Sequence, residues 1–425
     1  MLKVLVAPLD WGLGHATRCI PIIKELLNQK CQVIVAAEGA QKALLHEEFP
    51  FLTFVELPGY RVQYGKNRAL TFLRLIASIP KILIHIKREN GWLRRFADHE
   101  RPDLVLSDNR YGLYLPGTVT IFITHQLSIR TPFGKVADRL LQRINYSAIG
   151  RFSVCWVPDT AGADGLAGEL SHPKRMPPIP TRYIGWLSRM QSPFEGTGDI
   201  RSGSSVRGLA SDVPAQSTKD FDVLVLLSGP EPQRTILEKM ILAQAADCNC
   251  KMVLVRGLPG KRTREGAADI PEGYERGGPW RSRPNEVLSD SVVVGVDRNS
   301  GRSLAAPRGV VVYDHLVAGE LERLMLRSDV VLSRPGYSTV MDLRRVGKKA
   351  IFVPTPGQTE QEYLGGYLAA KGLGICVRQH AFSLTAALMQ ARGLGDRPGT
   401  GNEQMKNEIR TILDVAGRGR SRKRP

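Results

Sequence analysis

Short apolar runs rich in β-branched residues recur along this chain, and several are followed by a turn and a stretch of helical length. Lys3–Pro8 and Gln32–Ala37 read as buried strands, with a helix from about Ala16 to Asn28 between them. Phe54–Leu57, Asp103–Ser107 and Val119–Thr124 continue the series. Alternation of this kind predicts an α/β fold built on a doubly wound parallel sheet.

The texture changes after Trp186. Ser188–Asp220 is rich in Ser, Gly and Pro and reads as a linker. The alternation restarts with strand Asp222–Leu227, a helix over about Thr235–Asp247 and strand Met252–Arg256. Residues 258–308 are polar and Gly/Arg-rich, and read as a surface insertion with a short strand at Val292–Val296. Strand Val310–Tyr313, helix Gly319–Arg327, strand Val330–Leu332, helix Thr339–Val346 and strand Ala350–Val353 resume the pattern, and Asn402–Val415 reads as the last helix. The expected division is therefore a Rossmann-like domain over 1–187, a linker over 188–220 and a second Rossmann-like domain over 221–380. A helical segment over 381–417 and a basic, disordered tail over 418–425 complete the chain. Two similar halves imply a cleft between them. A length of 425 residues and a hydrophobic fraction of 42% allow each half its own core.

The net charge of +18 points to acidic partners. The basic excess lies in the tail, between Arg61 and Arg110, and between Arg130 and Arg151. No aromatic-rich RNA-recognition sequence or zinc-finger spacing accompanies it, so phosphates and a membrane face are favoured over nucleic acid. The six cysteines suggest neither a disulfide framework nor a zinc site, which fits a reducing compartment. The start of the chain reads as a first strand, not a leader, and no run reaches the ~20 apolar residues that span a bilayer. The expected location is cytoplasmic, with a peripheral position at the inner face of the plasma membrane where a membrane is used.

The strongest local signal runs from Asp329 to Leu364, DVVLSRPGYSTVMDLRRVGKKAIFVPTPGQTEQEYL. A strand enters a tight turn at Pro335 and Gly336, and a helix is expected from near Thr339, capped by Ser338 or Thr339. Free backbone N–H groups and the helix dipole at such a terminus suit a diphosphate. Asp342 lies one turn in, where a carboxylate can accept ribose hydroxyls. The second strand ends in PTPGQTEQ, which brings Glu360 and Gln361 to the carboxyl edge of the sheet, where ligands of open α/β sheets bind.

In the first half, LDWGLGHATR joins strand one to helix one. Gly12 and Gly14 permit close backbone approach, and His15 sits at the helix start, where the dipole favours a neutral imidazole. SDNRYG and THQ follow two further strands, so Asp108, Asn109, Arg110, His125 and Gln126 should lie at the same sheet edge. The bland alternative for each cluster is turn capping. Lys66–Phe96 is apolar with basic flanks and is expected to be divided by Pro80. It reads either as two helices packed on the sheet or as a membrane-surface element inserting Leu73, Ile76, Ile82 and Ile86.

These motifs resemble the nucleotide-sugar site of GT-B glycosyltransferases, two Rossmann-like domains facing a cleft. The resemblance is closest to the group containing the peptidoglycan N-acetylglucosaminyltransferase that forms lipid II, with its family 28 relatives. It covers most of the chain except the linker, the insertion and the tail. It implies a donor site at Ser333, Arg334, Gly336, Ser338 and Thr339, with Asp342 at the ribose and Glu360 and Gln361 near the sugar. That group has a Glu at the position of Asp342 and a second Gln at that of Glu362. The resemblance also implies a phosphate loop at Ser228, Gly229 and Arg234, and base recognition by backbone near His315 and Leu316. The Gly-rich loop ending in His15 is similar to one at the same place in that group. The activity implied is transfer of a hexose or N-acetylhexosamine from a UDP-sugar to an acceptor hydroxyl, inverting, with a lipid-linked acceptor as one option. No metal and no cofactor beyond the donor is expected. His15 is the expected base and Asp108 its rival. The alternatives are a sugar-nucleotide epimerase on the same fold and a non-catalytic nucleotide-sugar-binding protein.

Overall fold

A computed structural model describes residues 1–60, 68–129, 134–190, 219–260, 295–296, 303–304, 309–397, 399 and 403–423. The first half runs β1 (Lys3–Pro8), α1 (Gly14–Asn28), β2 (Gln32–Ala36), α2 (Gly39–Glu48), β3 (Thr53–Val55), α3 (Arg68–Glu100), β4 (Leu104–Asp108), β5 (Val119–Ile123), α4 (Lys135–Ile149), β6 (Val154–Val157) and β7 (Thr181–Tyr183). The second runs β8 (Phe221–Leu226), α5 (Gln233–Cys248), β9 (Met252–Val255), the antiparallel pair β10 (Gly295–Val296) and β11 (Ser303–Leu304), then β12 (Val310–Tyr313). It ends with α6 (Ala318–Arg327), β13 (Ser328–Ser333), α7 (Tyr337–Val346), β14 (Ala350–Phe352), α8 (Thr359–Ala370), β15 (Ile375–Cys376), α9 (Leu384–Arg392) and α10 (Glu403–Lys423).

Both main sheets are parallel throughout. Their orders are β3-β2-β1-β4-β5-β6-β7 and β12-β9-β8-β13-β14-β15. Each winds outward in both directions from its first strand, the doubly wound topology expected of two Rossmann-like domains. The order reverses between β1 and β4 in one sheet and between β8 and β13 in the other. A crevice opens at the carboxyl ends of such a pair, so the topology nominates the turns after β1, β4, β8 and β13.

The strands are buried because both faces are covered. Val4, Val6, Val33 and Val35 pack on α1, while Leu5, Ala7, Ile34 and Val105 face Leu93 of α3. One apolar cluster is continuous across both halves, joining Ile20 and Ile23 to Met341, Leu343 and Met405. The last helix is part of that join. Met405, Ile409 and Leu413 of α10 are buried, and Gln404 donates to the carbonyl of Tyr183.

The structure departs from the sequence expectations at several places. Pro80 does not divide the second apolar segment, because α3 is one helix with several turns on either side to outweigh one missing N–H. Its Leu73 and Ile76 side chains lie outside the described residues, Ile82 and Ile86 are half-buried, and Leu83 and Ile84 are the exposed pair. Ser188 and Met190 are buried against the second domain, so the inter-domain segment begins later than Ser188. Most of the expected linker and insertion lies outside the described residues. The helix expected to end at Val415 continues to Lys423, through most of the tail expected to be disordered.

A buried clasp anchors α3. Glu89 accepts from Arg110 Nη1 at 2.7 Å, from the Tyr60 hydroxyl at 2.6 Å and from the Gly112 N–H at 3.1 Å. Arg110 also donates through Nε to the Pro8 carbonyl. Removing one partner strands a charge at a site where Arg110 is 1% exposed. Glu89→Ala is expected to destabilise the protein by about 3–5 kcal/mol, read as a lowered denaturant midpoint.

Candidate functional site

The turn after β1 carries Gly12 at φ 76°, a left-handed conformation that favours glycine. The helix that follows starts at Gly14, earlier than expected, and this places His15 in the first turn. One turn on, Arg18 lies on the same face. Its guanidinium is 2% exposed and is held by Asp108 at the end of β4. Nε approaches the two carboxylate oxygens at 2.9 and 2.8 Å, and Nη2 also donates to Asp108 Oδ1. The same guanidinium reaches His15 Nδ1 at 2.8 Å and His125 Nδ1 at 3.1 Å. Asp108 Oδ2 lies 3.1 Å from His15 Nδ1. The two rivals for the base are thus neighbours, with Asp108 1% exposed and the His15 side chain 14% exposed.

This arrangement sets both ionisations. Burial alone would raise the Asp108 carboxyl, but the Arg18 charge and His15 outweigh it and hold the group below its ordinary value. Burial and then Arg18 push His15 down, against the opposing pull of Asp108. A neutral imidazole in the cleft is the form that can accept a proton.

The second domain meets this cluster directly. His125 Nε2 lies 2.8 Å from Glu360 Oε1, and Gln126 Nε2 donates to Glu360 Oε2. The His125 ring stacks on Tyr337 of α7, with centroids 4.2 Å apart and planes at 10°. The Tyr337 hydroxyl donates to the Pro158 carbonyl and the Ser338 hydroxyl to the Gly14 carbonyl, both at 2.7 Å. A Cβ on Gly14 would lie 3.0 Å from Ser338 Oγ, so glycine is what lets the first turns of α1 and α7 approach so closely.

The cap of α7 is Gly336, not Ser338 or Thr339, which lie in the first turn. The first-turn N–H groups have no intrahelical acceptor, as at any helix start. Nearby, Ser333 Oγ and Thr355 Oγ1 are buried without a hydrogen-bond partner among the described residues. Gly229, after β8, has φ 99°, and its Cβ position lies 3.6 Å from Thr355 Oγ1. Ser228 precedes it in the same turn. These buried hydroxyls leave polar capacity beside a helix N-terminus that the described residues do not use.

Other expected donor residues are engaged within the protein. Arg234 is paired with Glu231 and Glu238. Arg334 is buried and donates to the carbonyls of Val353, Pro354 and Gln233 and to Gln379 Oε1. Gln361 accepts from the Thr355 N–H at 2.8 Å. Asp342 accepts from Ser188 Oγ at 2.8 Å, from Arg189 Nε at 3.0 Å and from the Arg189 N–H at 3.2 Å. Beside Leu316, the Ala318 N–H at the start of α6 donates to Glu48 of α2 at 2.6 Å. Arg110 belongs to the α3 clasp, and Asn109 adopts φ 57° in the turn after β4, donating its N–H to the Ile123 carbonyl. Arg18, Tyr337 and Arg189 were missed from the sequence. The spacing of three from His15 was the available signal for Arg18; nothing local marked Arg189.

Residues 316–411 match the glycosyltransferase family 28 C-terminal domain. No curated protein matches the chain. Among solved structures, the glycotransferase of kitacinnamycin superposes with a TM-score of 0.51 at 13% identity, covering 98% of this chain and 95% of that one. Spinosyn forosaminyltransferase SpnP gives 0.51 at 12% identity, with 98% and 95% covered. Glycosyltransferase SsfS6 of Streptomyces sp. SF2575, complexed with thymidine diphosphate, gives 0.50 at 16% identity, with 97% and 100% covered. At these identities the likeness is one of fold: two Rossmann-like domains in the GT-B arrangement. Among the described residues, no group of three or more His, Cys, Asp or Glu side chains is placed to hold a metal ion.

The ionisations give a signed prediction. A His with a lowered folded pKa contributes stability that is complete above its unfolded value of 6.5 and is lost as pH falls toward the folded value. Asp108, also lowered, adds a second loss below its unfolded value of 3.8. The melting temperature should therefore drop on acidification from pH 7 to pH 5. His15→Gln should flatten part of that drop, with His315, lowered by burial, supplying another part.

Proposed function

We propose that the protein transfers a hexose or N-acetylhexosamine from a UDP-sugar to an acceptor hydroxyl, with inversion. One observation carries this reading. The His15–Asp108 pair of the first domain faces the N-terminus of α7, which lies inside the stretch matching the family 28 domain. A proton acceptor and an anion-binding helix start meet across one cleft, as single-displacement sugar transfer requires.

In the proposed step, the acceptor oxygen attacks the anomeric carbon while His15 Nε2 takes its proton. The bond from the anomeric carbon to the β-phosphate oxygen breaks, and the diphosphate leaves with that electron pair. For Nε2 to accept, the Nδ1 proton must point to Asp108, which then stabilises the imidazolium. Free N–H groups at Tyr337–Thr339, with Ser333 and Thr355, would receive the diphosphate. The ribose would take Asp342 once Ser188 and Arg189 release it. No metal or further cofactor has a role in this scheme.

Purified protein should be stabilised by at least one UDP-sugar, in a panel that also holds dTDP-sugars, in a thermal-shift assay, and should release nucleotide when a lipid extract supplies acceptor. His15→Ala should lower that turnover by about 10²–10⁴-fold. Binding to no UDP-sugar would sink the proposal, and acceptor-independent conversion of the sugar would favour an epimerase.

A lipid-linked acceptor is supported by the outer face of the first domain. Val136, Leu140 and Ile144 of α4 are 79%, 59% and 56% exposed at a spacing of four, beside exposed Arg139 and Arg143. Leu83 and Ile84 of α3 are exposed among Lys81, Lys87 and Arg88. Both helices bond to the 111–114 loop, through Asn90 and Asn145. No described helix is long and apolar enough to cross a membrane. An apolar stripe with a basic flank suits the surface of an anionic bilayer. The protein should co-sediment with phosphatidylglycerol vesicles more than with phosphatidylcholine vesicles, and Leu140→Glu with Ile144→Glu should weaken that association.

A further inference from the structure

We propose that Arg18 is a positioning residue for the His15 base, and that through His125 it ties that base to Glu360 on the opposite domain. The inference rests on the reading of His15 as base, and it assigns a role to a residue that touches no substrate atom.

The argument begins with what each group can donate. A guanidinium has only donors. The contact from Arg18 Nη1 to His125 Nδ1 therefore needs a lone pair on that nitrogen. A neutral His125 then carries its proton on Nε2, and Nε2 is the atom that faces Glu360 Oε1 at 2.8 Å. The Gln126 amide donates to the other Glu360 oxygen, so the carboxylate is an acceptor at both ends. Stacking on Tyr337 holds the His125 ring in the plane these bonds need. One chain of directed hydrogen bonds thus runs from Asp108 through Arg18 and His125 to Glu360.

At the other end, His15 Nδ1 has two claimants. It can donate to Asp108 Oδ2 or accept from Arg18 Nη2. The first leaves a lone pair on Nε2, as the base role requires, and the second puts a proton there; the base form is therefore the one in which Nδ1 donates to Asp108 Oδ2 while Arg18 Nη2 is spent on Asp108 Oδ1. Arg18 also shares Asp108 with His15, so the carboxylate is not free to stabilise an imidazolium fully in the resting protein. The charged and titratable groups around His15 are Arg18 on its own helix, Asp108 on β4, His125 after β5 and Glu360 on α8. Of these, only Arg18 contacts His15, Asp108 and His125 together. A lysine keeps the charge but gathers its three donors on one nitrogen and cannot span the three partners.

Specific ¹⁵N labelling of the histidine rings in the full chain tests this without any nucleotide-sugar. In the wild type, the His125 shifts should show a proton on Nε2 and a bare Nδ1; protonation at Nδ1 instead overturns the chain. Arg18→Gln should raise the His15 titration midpoint by about one pH unit, since the nearby like charge is gone. Arg18→Lys should move it less and should leave His125 a mixture of tautomers. Glu360→Ala, which leaves Arg18 donating to Nδ1, should keep the Nε2 tautomer of His125, and Arg18→Lys covers the case where Arg18→Gln does not fold. A His15 midpoint unmoved by Arg18→Gln, or a His125 tautomer unmoved by Arg18→Lys, refutes the proposal. Where a UDP-sugar is turned over, the acidic limb of kcat/KM should shift upward with the NMR midpoint. Absence of any turnover would count against the transferase reading alone, because the ring shifts report on Arg18 whether or not sugar is transferred.

Discussion

Asp108 is a carboxylate buried at the end of a central strand, and the guanidinium of Arg18 is what makes that burial tolerable. An isolated charge there would be costly, and the pairing keeps Asp108 an acceptor-only carboxylate. The pair fixes much else. It draws the first turn of α1 against β4, so His15 reaches the cleft at the switch point of the first sheet. It supplies His125 with a donor, which turns the opposite ring nitrogen toward the second domain.

The second domain is held on by groups that stand where ligand contacts are expected. Asp342 is satisfied by Ser188 and Arg189, and the start of α6 by Glu48. A carboxylate at a helix N-terminus and an arginine on an acid are sound pairings in their own right. Under the proposed function they are also the interactions that a nucleotide would compete with. In the described conformation these groups are satisfied by the protein's own side chains, so under the proposed function a ribose or base would enter by exchange, not by filling empty space. Arg189, which holds Asp342, is a long side chain at the edge of the inter-domain segment and can swing away without moving the helix.

Much of the fold was legible because it follows from periodicity. Runs such as Val4–Ala7 and Val330–Leu332 can be strands only if both faces are covered, and the helices between them supply the cover. Element boundaries were less legible. Helix α7 begins at Tyr337 because Gly336 takes the cap, and this places Ser338 where it bonds Gly14. The cluster of His15, Asp108, His125, Gln126 and Glu360 was readable as strand-end residues, since parallel sheets bring such ends together. What could not be read was pairing across the chain. Nothing near Asp342 in sequence announces Arg189, and Arg110 reads as a strand-end polar residue although Glu89, on a distant helix, holds it. Pro80 misled for the opposite reason: a local rule was outweighed by a helix long enough on both sides to absorb it.

The close approach of α1 and α7 has an electrostatic consequence. Two helix N-termini, each with partial positive charge on unpaired N–H groups, repel one another when brought together. The Ser338 hydroxyl bonding the Gly14 carbonyl and the stacking of His125 on Tyr337 act against that repulsion. An anion placed between the two starts would do so, and a diphosphate carries the charge and the oxygens required. Glycine at position 14 then has a purpose beyond the turn, since any Cβ would hold the two helix starts apart and weaken the field that such an anion would meet.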